Sequence, residues 1–471
     1  MAYQFDRHYI DGNWVKPNSG AHLEVENPFR LDVCGSAPLG DEHDVDLAVN
    51  AATKAFDSWQ HSSILQRQQV LRMMHEVLVS NLEELAQLWA LEVGTPITTA
   101  RQATGFLPVK VVEDLIAILD NFSFSSALGT TRVDRIPVGP VAAITPWNYP
   151  ISQLLIKCAS AIAAGCTVVA KPSEIAPLCA FRLVQLFDEQ GLPAGIINLV
   201  GGDGPTVGTA LVKHPGIRFV SFTGSTNTGR SIAATAGERL IRSCLELGGK
   251  SASIVLDEHI LATAIAGTVG SCSRNTGQTC TALTRLVVPM NLVDKACDFA
   301  ISHFKNLVIG DPCDESTVIG PLVSAKQRER ALEIIESGER QGAQKIFSAD
   351  VPTRGHFVPP TVFRDVLPTM RIARDEIFAP VLSILSAPES DMVNLANDSD
   401  YGLAASIWGT DYQQALAVAD RIEAGTITVN GGAFNPAAPY GGLKQSGLGR
   451  ELGQFGLEEF LEYKTFHGGA Q

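Results

Sequence analysis

The chain has 471 residues and a formal charge of −14, an acidic balance that argues against general affinity for nucleic acid or an anionic membrane while still allowing an anionic ligand to be held locally. Its length predicts two or three domains, and 45% hydrophobic residues with 42 glycines fit an α/β protein rich in tight turns. Nine cysteines without paired CxxC spacing fit a reducing cytoplasm and give no support to a disulfide scaffold or a thiol-bound metal.

Met1 to Val15 carries Asp6, Arg7, His8 and Asp11 where a secretory leader has a basic stretch and then an apolar one, so no signal peptide is expected. No apolar run reaches the roughly 20 residues that span a bilayer. Asp44 to Trp59 and Gln66 to Val93 repeat apolar residues at three- and four-residue spacings, predicting helices, the second stopping at Gly94 and Pro96. Ser123 to Arg135 reads as two polar strands around Gly129, and Glu459 to Phe466 as another. None of these buries a core alone, which predicts pairing with another subunit.

From Val138 short apolar runs alternate with helical segments. Val141–Ile144, Thr167–Ala170, Ile196–Val200 and Arg218–Phe222 read as buried parallel strands, with Ile151–Ala164 and Ala176–Gln190 as crossover helices. This alternation predicts a doubly wound parallel sheet with its ligand beyond the carboxyl ends of the strands. After Glu246 a second α/β series follows through Ile254–Leu256, Leu286–Val288, Val381–Ile384 and Thr426–Val429.

Five stretches carry chemistry. Phe222-Thr-Gly-Ser-Thr-Asn-Thr-Gly229 follows a strand and precedes a helix-like run from Arg230 to Ala236, so its free N–H groups can face a phosphate; a plain turn is the competing reading. Lys171-Pro-Ser-Glu174 offers a donor and a carboxylate to ribose hydroxyls, or else an ordinary helix start with Ser173 as cap. On the ribose reading, Glu174 repels a 2′-phosphate and favours NAD over NADP, which remains the alternative. Glu246, flanked by Leu245 and Leu247 before a glycine pair, is a candidate base at a loop edge, against the ordinary reading of a solvated carboxylate. Asn148, in a loop stiffened by two prolines, is a candidate oxyanion donor or simply a turn former. Cys280 lies among Gly277, Thr279 and Thr281 in company ill suited to an inert apolar thiol; a reactive one must be reachable and partly ionised.

In order, Thr145-Pro-Trp-Asn-Tyr-Pro150, Lys171-Pro-Ser-Glu174, Phe222-Thr-Gly-Ser225, Leu245-Glu-Leu-Gly-Gly-Lys250, Gly277-Gln-Thr-Cys280, Glu376-Ile-Phe-Ala-Pro380 and Pro439-Tyr-Gly-Gly-Leu-Lys-Gln-Ser-Gly447 resemble the motifs of the aldehyde dehydrogenase superfamily, of the NAD(P)-dependent, hydrolytic, non-acylating type. The resemblance implies a Rossmann-like nucleotide domain (1–120 and 138–247), an α/β catalytic domain (248–446) and a small β extension (121–137 and 447–471) used in a homodimer or homotetramer. It implies Cys280 as nucleophile, Glu246 as the base for hydrolysis, Asn148 as oxyanion donor and Lys157 in a supporting polar network. For the cofactor it implies Thr145, Pro146, Trp147, Lys171, Ser173, Glu174, Gly204, Gly208, Phe222, Thr223, Gly224, Ser225, Gly229, Leu247, Gly248, Glu376 and Phe378.

By position relative to these motifs, Tyr149, Gln153, Ile156, Thr279, Thr281 and Phe434 face the substrate. Neither an acidic cluster for an amino-aldehyde nor an arginine for a semialdehyde carboxylate is evident, so an uncharged aliphatic or aromatic aldehyde is expected, with Ile156 leaving room for a longer chain. Two alternatives remain. A coenzyme A-acylating enzyme has no need of Glu246, and a non-catalytic binding protein has no need of Cys280, Glu246 and Asn148 together.

Overall fold

The computed structural model describes residues 3–468; the outermost positions of the expected terminal domains, 1–2 and 469–471, lie outside the described residues. Two sheets dominate. The first runs Gly447–Leu448, Arg242–Glu246, Phe219–Thr223, Val141–Ile144, Val168–Lys171, Ile197–Leu199, His8–Ile10, Asn13–Val15, with its five central strands parallel and both edges antiparallel. The second runs Gln344–Ser348, Thr361–Arg364, Val381–Ala387, Leu283–Pro289, Ser251–Val255, Ala404–Trp408, Thr426–Val429, parallel except at Gln344–Ser348.

The period of two along each strand sends alternate side chains to opposite faces. Val141 and Ala143 join one core with the helices Ile64–Ser80, Leu82–Val93 and Pro150–Ala164, while Ala142 and Ile144 join another beneath the helix Glu42–Trp59. Both faces are therefore covered, which is why these strands read as unbroken apolar runs. Pro150–Ala164 is buried at every position except Gln153, as befits a helix apolar all round. Lys157 lies in its middle.

Several expectations shift. The helical run from Gln66 to Val93 is two helices, Ile64–Ser80 and Leu82–Val93, because Asn81 leaves the helical region at φ −124°, ψ 19°. Ser125–Leu128 and Thr131–Pro137 form the expected hairpin, and Leu461–Phe466 pairs with Thr131–Pro137 into a three-stranded sheet within the chain, so a second subunit is not needed to pair them. Part of the segment 447–471, expected in the extension, packs with the first sheet. Gly447–Leu448 is instead an edge strand of the first sheet, and Leu452, Leu457 and Phe460 lie in its core.

One helix end depends on a distant carboxyl group. The helix Leu178–Glu189 starts after Pro177, which supplies no side-chain cap, and the backbone N–H groups of Leu178 and Cys179 donate to Glu92 at 2.7 and 2.9 Å. Burial pushes Glu92 up to about 7. Because this exceeds the value in an unfolded chain, the folded state holds the proton more tightly. The stability so gained is complete below the unfolded pKa and is lost as pH rises through the folded one. In urea titrations from pH 5 to pH 8, Glu92→Gln, which cannot ionise, is expected to gain on the wild type by about 3 kcal/mol; a constant gap would contradict this account.

Candidate active site

The carboxyl ends of the first sheet's strands abut the amino ends of the second's. Asn148 follows Val141–Ile144, Lys171 ends Val168–Lys171, Ser225 follows Phe219–Thr223, and Glu246 ends Arg242–Glu246. Facing them, Gly249 precedes Ser251–Val255, Cys280 precedes Leu283–Pro289, and Glu376 and Phe378 precede Val381–Ala387. The expected constellation is thus drawn from two sheets.

The segment leading to Cys280 is held in an unusual backbone. Asn275, Thr276 and Gly277 all have positive φ, at 50°, 57° and 76°. For a β-branched residue such as Thr276 this costs about 1–2 kcal/mol, so neighbours must fix it. The Thr276 hydroxyl accepts from Gly320 N–H at 2.9 Å, Gln278 Oε1 accepts from Val323 N–H at 2.9 Å, and Thr95 donates to Asn275 Oδ1 at 2.7 Å. A Cβ on Gly277 would stand 2.3 Å from the Ala379 backbone, so only glycine fits. Two further bonds cross to the other sheet: Asn148 Nδ2 donates to the Gln278 carbonyl at 2.9 Å, and Asn275 Nδ2 donates to the Asn148 carbonyl at 3.0 Å. Gly249 admits the loop from the other side, since a Cβ there would lie 2.4 Å from the Cys280 carbonyl oxygen.

Cys280 is a free, part-buried cysteine whose sulfur lies 3.4 Å from the Tyr440 hydroxyl. Burial pushes its thiol up to about 12; the Tyr440 hydrogen bond opposes this, and Glu246 and Glu376 add to it. The residue is part-buried, and in this form its thiol is protonated rather than partly ionised, because burial disfavours the thiolate and the nearby charges are acids.

Glu246 is a strand end, not a loop edge: its backbone registers with Thr223 on one side and Gly447 on the other. It is buried, and both carboxyl oxygens are without a hydrogen-bond partner among the described residues. Burial and the neighbouring Glu451 raise its pKa well above the ordinary value, with Lys157 and Arg450 opposing. Lys157 donates to Thr223 Oγ1 at 2.8 Å and pairs with Glu451, which places it in the polar network expected. Neither Glu451 nor Tyr440 was singled out from the sequence. The signal for Glu451 was available in principle, since a lysine on an all-apolar helix needs a buried carboxylate.

Several of the residues expected at the cofactor contact one another. Lys171 Nζ meets Glu174 at 3.0 Å, and the helix they were weighed against starts only at Leu178; Ser173 instead accepts from Ile175 N–H in a local turn. A Cβ on Gly208 would stand 3.9 Å from the Lys171 stem; Gly208 ends a short π turn that begins at Gly204. Ser225 caps the helix Thr226–Glu238, receiving Thr228 N–H at 3.2 Å, and Gly229 lets that helix approach Leu247. Phe222 lies in the core below, and Gly224 N–H donates to the Glu246 carbonyl. Trp147 stacks edge-on against Phe378 at 5.4 Å, next to Thr145 and Pro146. Glu376 accepts from Gly249 N–H at 3.0 Å, and a Cβ on Gly248 would collide with that carboxylate.

Of the substrate-side residues, Tyr149 reaches Thr279 Oγ1 at 2.8 Å and Trp89 at 5.3 Å, and Gln153 keeps an unpartnered Oε1. Thr281 is part-buried, Ile156 lies in the core, and exposed Phe434 meets Tyr440 edge-on. Among the described residues no cluster suited to a metal occurs, and no helix is long and apolar enough to cross a membrane.

The aldehyde dehydrogenase family matches residues 14–466. This chain belongs to that family. It is 43% identical to 3-succinoylsemialdehyde-pyridine dehydrogenase of a Pseudomonas species over 98% of both proteins. Aldehyde dehydrogenase C of Pseudomonas syringae, solved with NAD+ and octanal, is 41% identical and superposes with a TM-score of 0.97 over 99% of this chain and 97% of that one. Betaine aldehyde dehydrogenase of Staphylococcus aureus, solved with NAD+, is 33% identical, with a TM-score of 0.95 over 99% of this chain and 95% of that one. The fold and the enzyme class of this aldehyde dehydrogenase follow.

Replacing Lys157 by methionine keeps the length of the side chain but leaves Glu451 buried without its cation. Lys157→Met is expected to cost about 3–5 kcal/mol in urea unfolding; a loss below about 1 kcal/mol, typical of an exposed pair, would show that the network is not closed to water.

Proposed function

We propose that the protein oxidises an uncharged aliphatic or aromatic aldehyde to the carboxylic acid with NAD as hydride acceptor, through a thioester on Cys280. The observation that carries this is the lashing of the Asn148 loop to the loop bearing Cys280, with an unpartnered Glu246 carboxyl nearby. The donor set of the cleft suits a dinucleotide. Lys171 and Glu174 offer a cation and a carboxylate to a ribose diol, the start of Thr226–Glu238 offers free N–H groups to a pyrophosphate, and Glu376 offers a carboxylate to the nicotinamide ribose. Glu174, a carboxylate beside the ribose, favours NAD over NADP.

Cys280 as thiolate attacks the carbonyl carbon, and the resulting oxyanion is held by the Asn148 amide and the Cys280 backbone N–H. When bound, NAD supplies the acceptor for the hydride that this adduct loses. Glu246 takes a proton from the water that attacks the thioester, releasing the acid and returning the sulfur. A raised proton affinity suits it to this task near neutral pH. The presence of this base favours hydrolysis over transfer to coenzyme A.

Tyr149, Gln153, Thr279, Thr281 and Phe434 supply a substrate surface without a formal charge, in keeping with octanal in the Pseudomonas syringae relative and a pyridine-bearing aldehyde in the name of the other; Ile156, expected beside them, is instead buried in the core. We further infer a nucleotide domain around the first sheet, a catalytic domain around the second, and a homodimer or homotetramer in which the Ser125–Leu128 edge, exposed along its whole length, meets another copy.

Cys280→Ala is expected to bring NADH production to background while NAD binding by titration calorimetry persists; turnover by this variant would refute the assignment. Glu246→Gln is expected to retain a stoichiometric burst of NADH in stopped flow but to lower the steady rate by about a hundredfold or more. Equal loss of both phases would remove Glu246 from deacylation.

A further inference from the structure

A thiolate nucleophile usually owes its ionisation to a neighbouring cation or a helix N-terminus. Here the groups facing the sulfur are Glu246, Glu376 and the Tyr440 hydroxyl, so both charged neighbours oppose ionisation. Among the described residues Tyr440 is the one side chain hydrogen-bonded to Cys280 Sγ, at 3.4 Å, with a backbone N–H also favouring the thiolate. That separation is within reach of a hydrogen bond to sulfur.

Tyr440 is held in place by three elements. Its backbone exchanges both hydrogen bonds with Glu451, at 2.8 and 2.7 Å, and the Glu451 side chain is fixed by buried Lys157. Its ring lies edge-on to Phe434 at 6.0 Å. The next residue, Gly441, has φ +155°, and a Cβ there would come 2.7 Å from Glu246 Oε1, so the chain runs directly from the sulfur's partner past the base. The phenol thus sits beside the nucleophile and close to the carboxyl that later activates water.

We propose that Tyr440 is a catalytic residue whose phenol O–H donates a hydrogen bond to the Cys280 sulfur, stabilising it as thiolate before attack and again when hydrolysis returns it. The proposal rests on Cys280 being the nucleophile. On ionisation the thiol proton passes to water, and Tyr440 transfers none; it lends a hydrogen bond and keeps its own proton. Burial, with Cys280, Glu246 and Glu451 around it, raises the phenol further above its ordinary value, so it remains a donor across the working pH range. A neutral donor also has an advantage over a cation at this position, because a fixed positive charge would bind the carboxylate product and slow its release.

The test is the pH dependence of Cys280 alkylation by iodoacetamide in the full-length protein, followed by mass spectrometry of the Cys280 peptide, with exposed Cys313 as an internal reference thiol. Tyr440→Phe is expected to move the midpoint up by about one pH unit, so that alkylation at pH 7 slows about tenfold while the high-pH plateau is unchanged. A superimposable profile, or a lowered plateau at the same midpoint, would overturn the proposal, the second result marking a purely structural role. 3-Fluorotyrosine at position 440 keeps the shape and makes the phenol a stronger donor. It is expected to move the midpoint down, and an unmoved midpoint there overturns the proposal even if the phenylalanine variant fails to fold. The assignment of the nucleophile fails separately, if Cys280→Ala turns over aldehyde.

Discussion

The site depends on one exchange of hydrogen bonds between two loops that no strand connects. Asn148 gives its amide to the Gln278 carbonyl, and Asn275 returns an amide to the Asn148 carbonyl. The first loop leaves the carboxyl end of a strand in one sheet; the second enters the amino end of a strand in the other. Each loop alone is an irregular segment with exposed backbone polar groups. Joined, they satisfy each other and close the seam at the point where the sulfur emerges. The left-handed pair Asn275 and Thr276 is tolerated because this exchange and the bonds to Thr95 and Gly320 over-determine it.

A second constraint is electrical. Two buried carboxyl groups, Glu246 and Glu451, share the neighbourhood of a single buried lysine, and Lys157 is already committed to Glu451 and Thr223. The pairing leaves Glu246 with both oxygens unpartnered and its proton affinity raised. An ion pair to Glu246 would have held it ionised and quiet, with a depressed pKa and little tendency to take a proton from water. The structure gives the lysine to Glu451 and leaves Glu246 unpaired.

Much of this was legible from residues alone. The parallel strands of the first sheet read as apolar runs because both faces are covered, and the ordered motifs from Thr145 to Gly447 point to the family. Three kinds of information were not. The break at Asn81 is a matter of backbone angle in a run whose apolar spacing continues through it. The assignment of Gly447–Leu448 to the first sheet depends on a pairing two hundred residues away in sequence, which local pattern does not encode. Tyr440 and Glu451 sit in a glycine-rich connection where periodicity says nothing, and their meaning arises only from what they touch.

The ionisation state of the sulfur ties these points together. Two criteria for a working nucleophile, exposure and ionisation, bear on Cys280 together: the residue is part-buried, and burial among acids holds the thiol in its protonated form. A protonated thiol resists oxidation and stray alkylation, so a cleft that withholds ionisation protects the residue between turnovers. The same enclosure also strengthens any hydrogen bond made inside it, because the local dielectric is low. A single phenol donor that would count for little on a wet surface can therefore shift the balance toward thiolate at this position. Burial and the acids that burden the sulfur, and the tyrosine that relieves it, act on the same atom, so the thiol rests protonated and the tyrosine sets how readily it ionises.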